Sequence, residues 1–199
     1  MTLLRRYFVT LLTVSLPVLA PAQTQSASDA PRVRLSTNQG DVVVELQAKA
    51  APQTVANFLQ YVRDKHYDGL IFHRVIDGFM IQGGGFDAQY RERATRAPIA
   101  HEGREALQRG GARNTVGTIA MARTNDPHSA TAQFFINVKD NAFLDPNTQS
   151  FGYTVFGQVV SGMDVVLKIK SIPTGRGGPF SSDVPRTPVI IQSATVITP

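Results

Sequence analysis

Phe72-His73-Arg74-Val75-Ile76-Asp77-Gly78-Phe79-Met80-Ile81-Gln82-Gly83-Gly84 is the stretch on which the fold turns. Two β-favouring runs meet in it, Leu70–Val75, which begins two residues earlier, and Phe79–Gln82. Strand alternation predicts His73 and Val75 on one face, with Phe72 and Arg74 on the other. An arginine inside a run this rich in aromatic and branched residues is unusual. Spacing alone favours the plain reading, a surface arginine on a half-exposed strand. Gly83-Gly84-Gly85 follows the second run and resembles a phosphate cradle only superficially. No apolar stripe marks a helix in Phe86–Arg96, and no acid stands at the expected distance. The glycines are read instead as a turn where side chains would clash.

Outward from this stretch the punctuation stays dense. Arg32–Thr37 and Val42–Leu46 are short strands about Asn38-Gln39-Gly40-Asp41, a hairpin signal. Pro52–Asp64 reads as a helix, with Pro52 in its first turn and Val55, Phe58, Leu59 and Val62 at helical spacing. Val116–Met121, Gln133–Val138, Thr154–Val160 and Val189–Ile197 read as further strands. Gly162–Ile172 reads as a second helix, with Met163, Val166 and Leu167 on one face. Gly175–Pro179 and Ser181–Pro188 read as loop. Strands and helices do not alternate, so an antiparallel β-barrel with two covering helices fits better than a doubly wound sheet.

The N-terminus has its own logic. Met1–Arg6 carries two arginines, Tyr7–Ala20 is an uncharged apolar run of 14 residues, and Ala20-Pro21-Ala22 presents small residues before Gln23. That is the pattern of a secretory signal peptide, residues 1–22. As a membrane anchor, 14 residues rising ~1.5 Å each would cover only about two-thirds of a ~30 Å hydrocarbon core. Residues 23–31 are small and polar, a tether before a domain at 32–198. The localisation this implies is the periplasm.

Composition narrows the chemistry. The chain of 199 residues has a net charge of +5, falling to about +3 without Arg5 and Arg6, too small an excess to argue for nucleic acid. It has no cysteine, which excludes thiol catalysis and disulfides, so stability must come from a packed core. Four scattered histidines, His66, His73, His101 and His128, lack metal-ligand spacing, so neither a metal nor a cofactor is expected. The esterase elbow, nucleotide loop and zinc-protease motifs are absent. Arg109-Gly110-Gly111 and Arg176-Gly177-Gly178 are two isolated copies of a motif that binds RNA only in arrays, and are read as surface loops.

FHRVIDGFMIQGG resembles the signature segment of the cyclophilins. Gly117–Arg123 (GTIAMAR) with Gln133–Ile136 (QFFI), Ala142–Asp145 (AFLD) and Val155–Val166 (VFGQVVSGMDVV) resemble that family's later blocks, in order, from about Arg32 to Ile197. The likeness is greatest to the exported bacterial type. It implies a closed eight-stranded antiparallel barrel capped by two helices, acting as a peptidyl-prolyl cis–trans isomerase on proline-containing segments of unfolded or exported proteins. It also implies a catalytic role for Arg74, assisted by Gln82. Substrate would be bound by Phe79, Met80, Ala122, Arg123, Thr124, Gln133, Phe135, Phe143, Leu144 and Tyr153. The chain departs from the family pattern in three places. Arg123 stands for the usual asparagine, Phe143 for a frequent tryptophan, and Tyr153, beyond an insertion at Pro146–Gly152, for a groove histidine. A monomer satisfies everything in the sequence.

Overall fold

The computed structural model describes residues 30–197, so the expected signal peptide and nearly all of the tether lie outside the described residues. Eight strands form one wholly antiparallel sheet. In chain order they are β1 (Arg32–Thr37), β2 (Gly40–Leu46), β3 (Arg74–Ile76), β4 (Met80–Gly83), β5 (Thr118–Met121), β6 (Phe134–Asn137), β7 (Val155–Ser161) and β10 (Ile191–Ile197). Their spatial order is β10-β1-β2-β7-β5-β6-β4-β3. The sheet curls into a half-barrel, and the expected closure is narrower than a ladder. The end strands β3 and β10 do not pair with each other; the segment before β3 instead meets Val189–Ile191, where Ile71 bridges Ile190, the Phe72 N–H donates to the Val189 carbonyl at 2.9 Å and the Ile191 N–H donates to the Leu70 carbonyl at 2.8 Å.

Two helices flank the sheet as expected, α1 (Pro52–Arg63) and α3 (Met163–Lys170). On α3 the buried face is Val166 and Ile169, whereas Leu167 is 41% exposed, a correction to the expected stripe. A third helix, α2 (Gly103–Gln108), is too short for periodicity to reveal. Just before it, buried Glu102 accepts from the N–H groups of Gln53 (3.2 Å) and Thr54 (2.7 Å). It therefore caps the first turn of α1, whose own N-cap residue, Ala51, offers no side-chain oxygen. The expected loop at 175–188 is instead a two-stranded hairpin, β8 (Thr174–Gly177) and β9 (Phe180–Pro185). Its glycines masked the strand signal.

The sheet is buried on both faces where the site lies, which explains why β5 (TIAM) and β6 (FFIN) read as unbroken apolar runs. Inward, Ile81, Ile119, Phe134 and Ile136 join Phe58, Phe72 and Phe156 in the main core. Phe134 meets Phe58 and Phe72 edge-on at 5.7 and 6.0 Å. Outward, Met80, Ala120, Phe135, Leu144 and Val155 form a second, smaller cluster. Among the described residues no helix is long and apolar enough to cross a membrane.

Candidate active site

Strand register assembles the site. Arg74 pairs with Gln82 across β3–β4, Gln82 with Phe135 across β4–β6, Phe135 with Ala120 across β6–β5, and Ala120 with Val155 across β5–β7. Five sequence-distant residues thus lie in one transverse row on the outer face. The start of β3 at Arg74 changes the expected facing. Phe72, still outside the strand, turns into the main core, while Arg74 is exposed on the outer face.

The row borders a groove of about 210 Å³ lined by Arg74, Phe79, Met80, Gln82, Ala122, Arg123, Phe135, Leu144 and Tyr153. Nine of the twelve residues expected from sequence meet there. The other three stand beside it. Gln133 accepts a hydrogen bond from Gln82 Nε2 at 3.0 Å, and Gln82 Oε1 faces Arg74 Nη1 at 3.5 Å, so the three form a relay. Phe143 is 70% exposed and stacks on Phe79 with ring centres 5.7 Å apart. Thr124 turns to Ser129, whose Oγ it meets at 2.8 Å.

Gly85 shows why glycine follows β4. A Cβ there would stand 2.6 Å from the Gln133 side chain, which the relay requires in place. The triple glycine therefore serves packing beside the groove, and no helix follows it until Gly103.

The insertion at Pro146–Gly152 is tied to the groove through one carbonyl. Gly152 O accepts from Arg123 Nε (3.0 Å) and Nη2 (2.9 Å), and His101 Nε2 lies 3.2 Å away. His101 Nδ1 accepts from the Gly103 N–H at 3.1 Å, so Nε2 carries the hydrogen directed at Gly152. Burial lowers the His101 pKa, and the Arg123 charge lowers it further, against the contrary pull of the Gly152 carbonyl. The Arg123 guanidinium lies 4.7 Å over the Tyr153 ring, and that ring meets Phe135 edge-on at 5.5 Å.

Beneath the other wall runs a buried polar network that the sequence reading missed. Asn137 Nδ2 donates to Asn114 Oδ1 (3.2 Å) and Thr118 Oγ1 (3.0 Å), while Asn141 Nδ2 donates to Asn137 Oδ1 (2.7 Å) and the Phe79 carbonyl (2.9 Å). Asp145 Oδ1 receives the Asn114 N–H at 2.8 Å. The one available signal was Asn137, a polar residue ending the apolar run FFIN.

A larger concavity of about 370 Å³, lined by Tyr61, Asp64, Lys65, His66 and Arg93–Arg96, offers less chemistry. Arg96 is bound to Asp64, and Arg93 donates to the carbonyls of His66 and Asp68. Among the described residues no cluster of three metal-ligating side chains occurs.

Residues 32–196 match the family model described as cyclophilin type peptidyl-prolyl cis-trans isomerase/CLD. The chain is 54% identical over 167 residues to peptidyl-prolyl cis-trans isomerase B of Escherichia coli, covering 82% of this chain and 98% of the relative. It is 46% identical over 194 residues to peptidyl-prolyl cis-trans isomerase A of Dickeya dadantii, covering 97% and 98%. A crystal structure of a cyclophilin type isomerase from Cryptosporidium parvum superposes with a TM-score of 0.66 at 25% identity, covering 85% of this chain and 99% of that one.

Proposed function

This chain belongs to the cyclophilin-type peptidyl-prolyl cis–trans isomerases, and we propose that it turns X-Pro bonds of exported proteins in the Arg74 groove, assisting their folding. The observation that carries this reading is the row Arg74–Gln82–Phe135, which sets a cationic donor beside an apolar floor.

The reaction is a rotation about one bond, with no proton transferred and no covalent intermediate. It therefore needs neither an acid–base pair nor a nucleophile. Amide resonance sets a barrier of ~18–20 kcal/mol, and unassisted exchange takes ~10–100 s. At the twisted transition state conjugation is lost, and the prolyl nitrogen regains a localised lone pair. A donor aimed at that nitrogen binds most strongly there, which is the condition for acceleration.

Arg74 supplies the donor: a planar fork with several N–H groups, oriented by neutral Gln82. Gln133 holds Gln82 from behind. Phe79, Met80, Phe135 and Leu144 take the pyrrolidine ring, and Phe143 extends that wall outward. Ala122, Arg123 and Thr124 follow β5 and face the substrate backbone, and Tyr153 closes the far side. The apolar floor strips water from the planar amide, whose charge separation water favours. One preorganised donor is worth ~3–4 kcal/mol, a factor of roughly 10²–10³.

The site of action is the periplasm, reached by way of a signal peptide at residues 1–22 and left soluble, as a monomer, by cleavage before Gln23. The arginine-bearing start, the apolar run and the small residues at 20–22 support this reading. Residues 23–31 tether the catalytic domain, 32–198. N-terminal sequencing of the exported protein tests cleavage, and a chain retaining Met1 in the membrane fraction contradicts it. Catalysis is tested by the relaxation of a short prolyl peptide with and without the mature protein.

A further inference from the structure

Two arginines line the groove, and no aspartate or glutamate does. The partners of both are neutral. Arg123 gives Nε and Nη2 to the Gly152 carbonyl and Nη1 to the Thr124 carbonyl (2.8 Å), and its flat face covers Tyr153. Arg74 faces the amide of Gln82. Arg113, outside the groove lining, is by contrast matched by Asp145 at 3.3 Å. Among the described residues no carboxylate lies within 4.0 Å of the Arg74 or Arg123 guanidinium.

Carbonyls and a ring satisfy hydrogen bonds without cancelling charge. Arg123 is thus held in place with its charge intact, and Arg74 adds a second positive charge to the same slot. A cleft lined by one sign of charge, with apolar walls, concentrates its field on whatever enters. We infer that the groove selects proline segments carrying an aspartate or glutamate next to the proline and disfavours those carrying lysine or arginine. The inference rests on the isomerase reading of the groove and names its substrate class.

The alternative role for Arg123 is a brace that seats the 146–152 segment and nothing more. Charge and brace are separable, because lysine keeps the charge but not the planar clamp, whereas glutamine can bond a carbonyl but has no charge.

The experiment uses the mature protein and six short peptides with Glu, Ala or Lys immediately before or after a single proline. Relaxation rates and NMR amide-shift titrations are read at ~20 mM and ~0.5 M salt. Glu is expected to exceed Lys in kcat/KM by roughly tenfold at one of the two positions in low salt, shrinking to about twofold in high salt. Arg123→Gln should cut that ratio by about threefold, and Arg123→Lys should preserve it. Equal handling of Glu and Lys overturns the inference while leaving the isomerase intact. Loss of the ratio in both variants assigns it to the brace and also overturns it. If no peptide is accelerated the isomerase reading falls, and the titrations alone decide the preference: tighter Glu binding upholds it, and equal binding ends it.

Discussion

Arg74 and Gln82 face one another across the β3–β4 ladder, with the guanidinium Nη1 3.5 Å from the amide oxygen. The contact is long enough to leave the arginine available and close enough to aim it. Gln82 is itself held by Gln133 at 3.0 Å. Orientation of the donor therefore comes from β4 and from the segment entering β6, not from the three-residue strand that carries it.

Gln82→Leu should lower kcat/KM by about tenfold, or ~1.4 kcal/mol, the upper end for an ordinary hydrogen bond and fitting for one to a charged group stretched to 3.5 Å. The loss is expected mainly in kcat, since Arg74 would still be present but no longer aimed. A change confined to KM would make Gln82 a substrate contact instead.

Phe143 is mostly exposed and touches the site through Phe79. Phe143→Ala should change stability by less than ~0.5 kcal/mol, as surface substitutions do. It should still raise KM by about threefold, because the outer wall of the ring pocket is lost. Melting curves and initial rates on the same samples check both halves.

The asparagine network predicts the opposite balance. Asn137→Ala strands Asn114 Oδ1 and one hydrogen of Asn141, both buried. Denaturant unfolding should show a loss of ~2–4 kcal/mol. Because Asn141 also holds the Phe79 carbonyl, activity should fall at temperatures where the variant is still folded. An unchanged unfolding midpoint would show that the network is not a support.

His73 sets an acid limit on stability. Its ring is buried between Phe86 and Phe180, 4.8 and 5.4 Å between centres, and its Nδ1 has no partner. Burial lowers its pKa from 6.5 to about 4, assisted by the charge of Arg74. The unfolded chain therefore binds a proton that the folded chain refuses. The stability present above pH 6.5 should decline as pH falls and level off below about pH 4, a loss on the order of 3 kcal/mol from this residue. His73→Phe should flatten that portion of the profile, and an unchanged profile would exclude His73 as its source.

Much of this architecture was legible because local and tertiary preferences agree. The β1–β2 hairpin turns where Asn38-Gln39-Gly40-Asp41 requires, with Gly40 at φ +131°, and α1 starts at Pro52. Disagreement marks what was missed. The β8–β9 hairpin is glycine-rich, and its Phe180 is placed by packing on His73, a contact more than 100 residues away in sequence. Glu102 caps a helix some 50 residues before it, which no local pattern reveals. At the site, the family resemblance singled out Arg74 where spacing alone favoured a surface arginine, but the seating of Arg123 was not legible. It depends on Gly152, 29 residues on, and on His101, 51 residues before that glycine. The unbroken apolar runs of β5 and β6 hid a second buried face, which only the strand register disclosed.

The central claim is that Arg74 acts on the prolyl nitrogen and does not merely hold the fold. Arg74 is exposed and makes no ion pair among the described residues, so Arg74→Ala should melt within about 2 °C of the parent protein. The decisive measurement is the relaxation rate of a short prolyl peptide with Arg74→Ala and Arg74→Lys, each sample melted afterwards. The account predicts a kcat/KM reduced by ~10²–10³ in the alanine variant, with little recovery in the lysine variant. Near-parental activity in Arg74→Ala, or a loss that tracks unfolding, would contradict it.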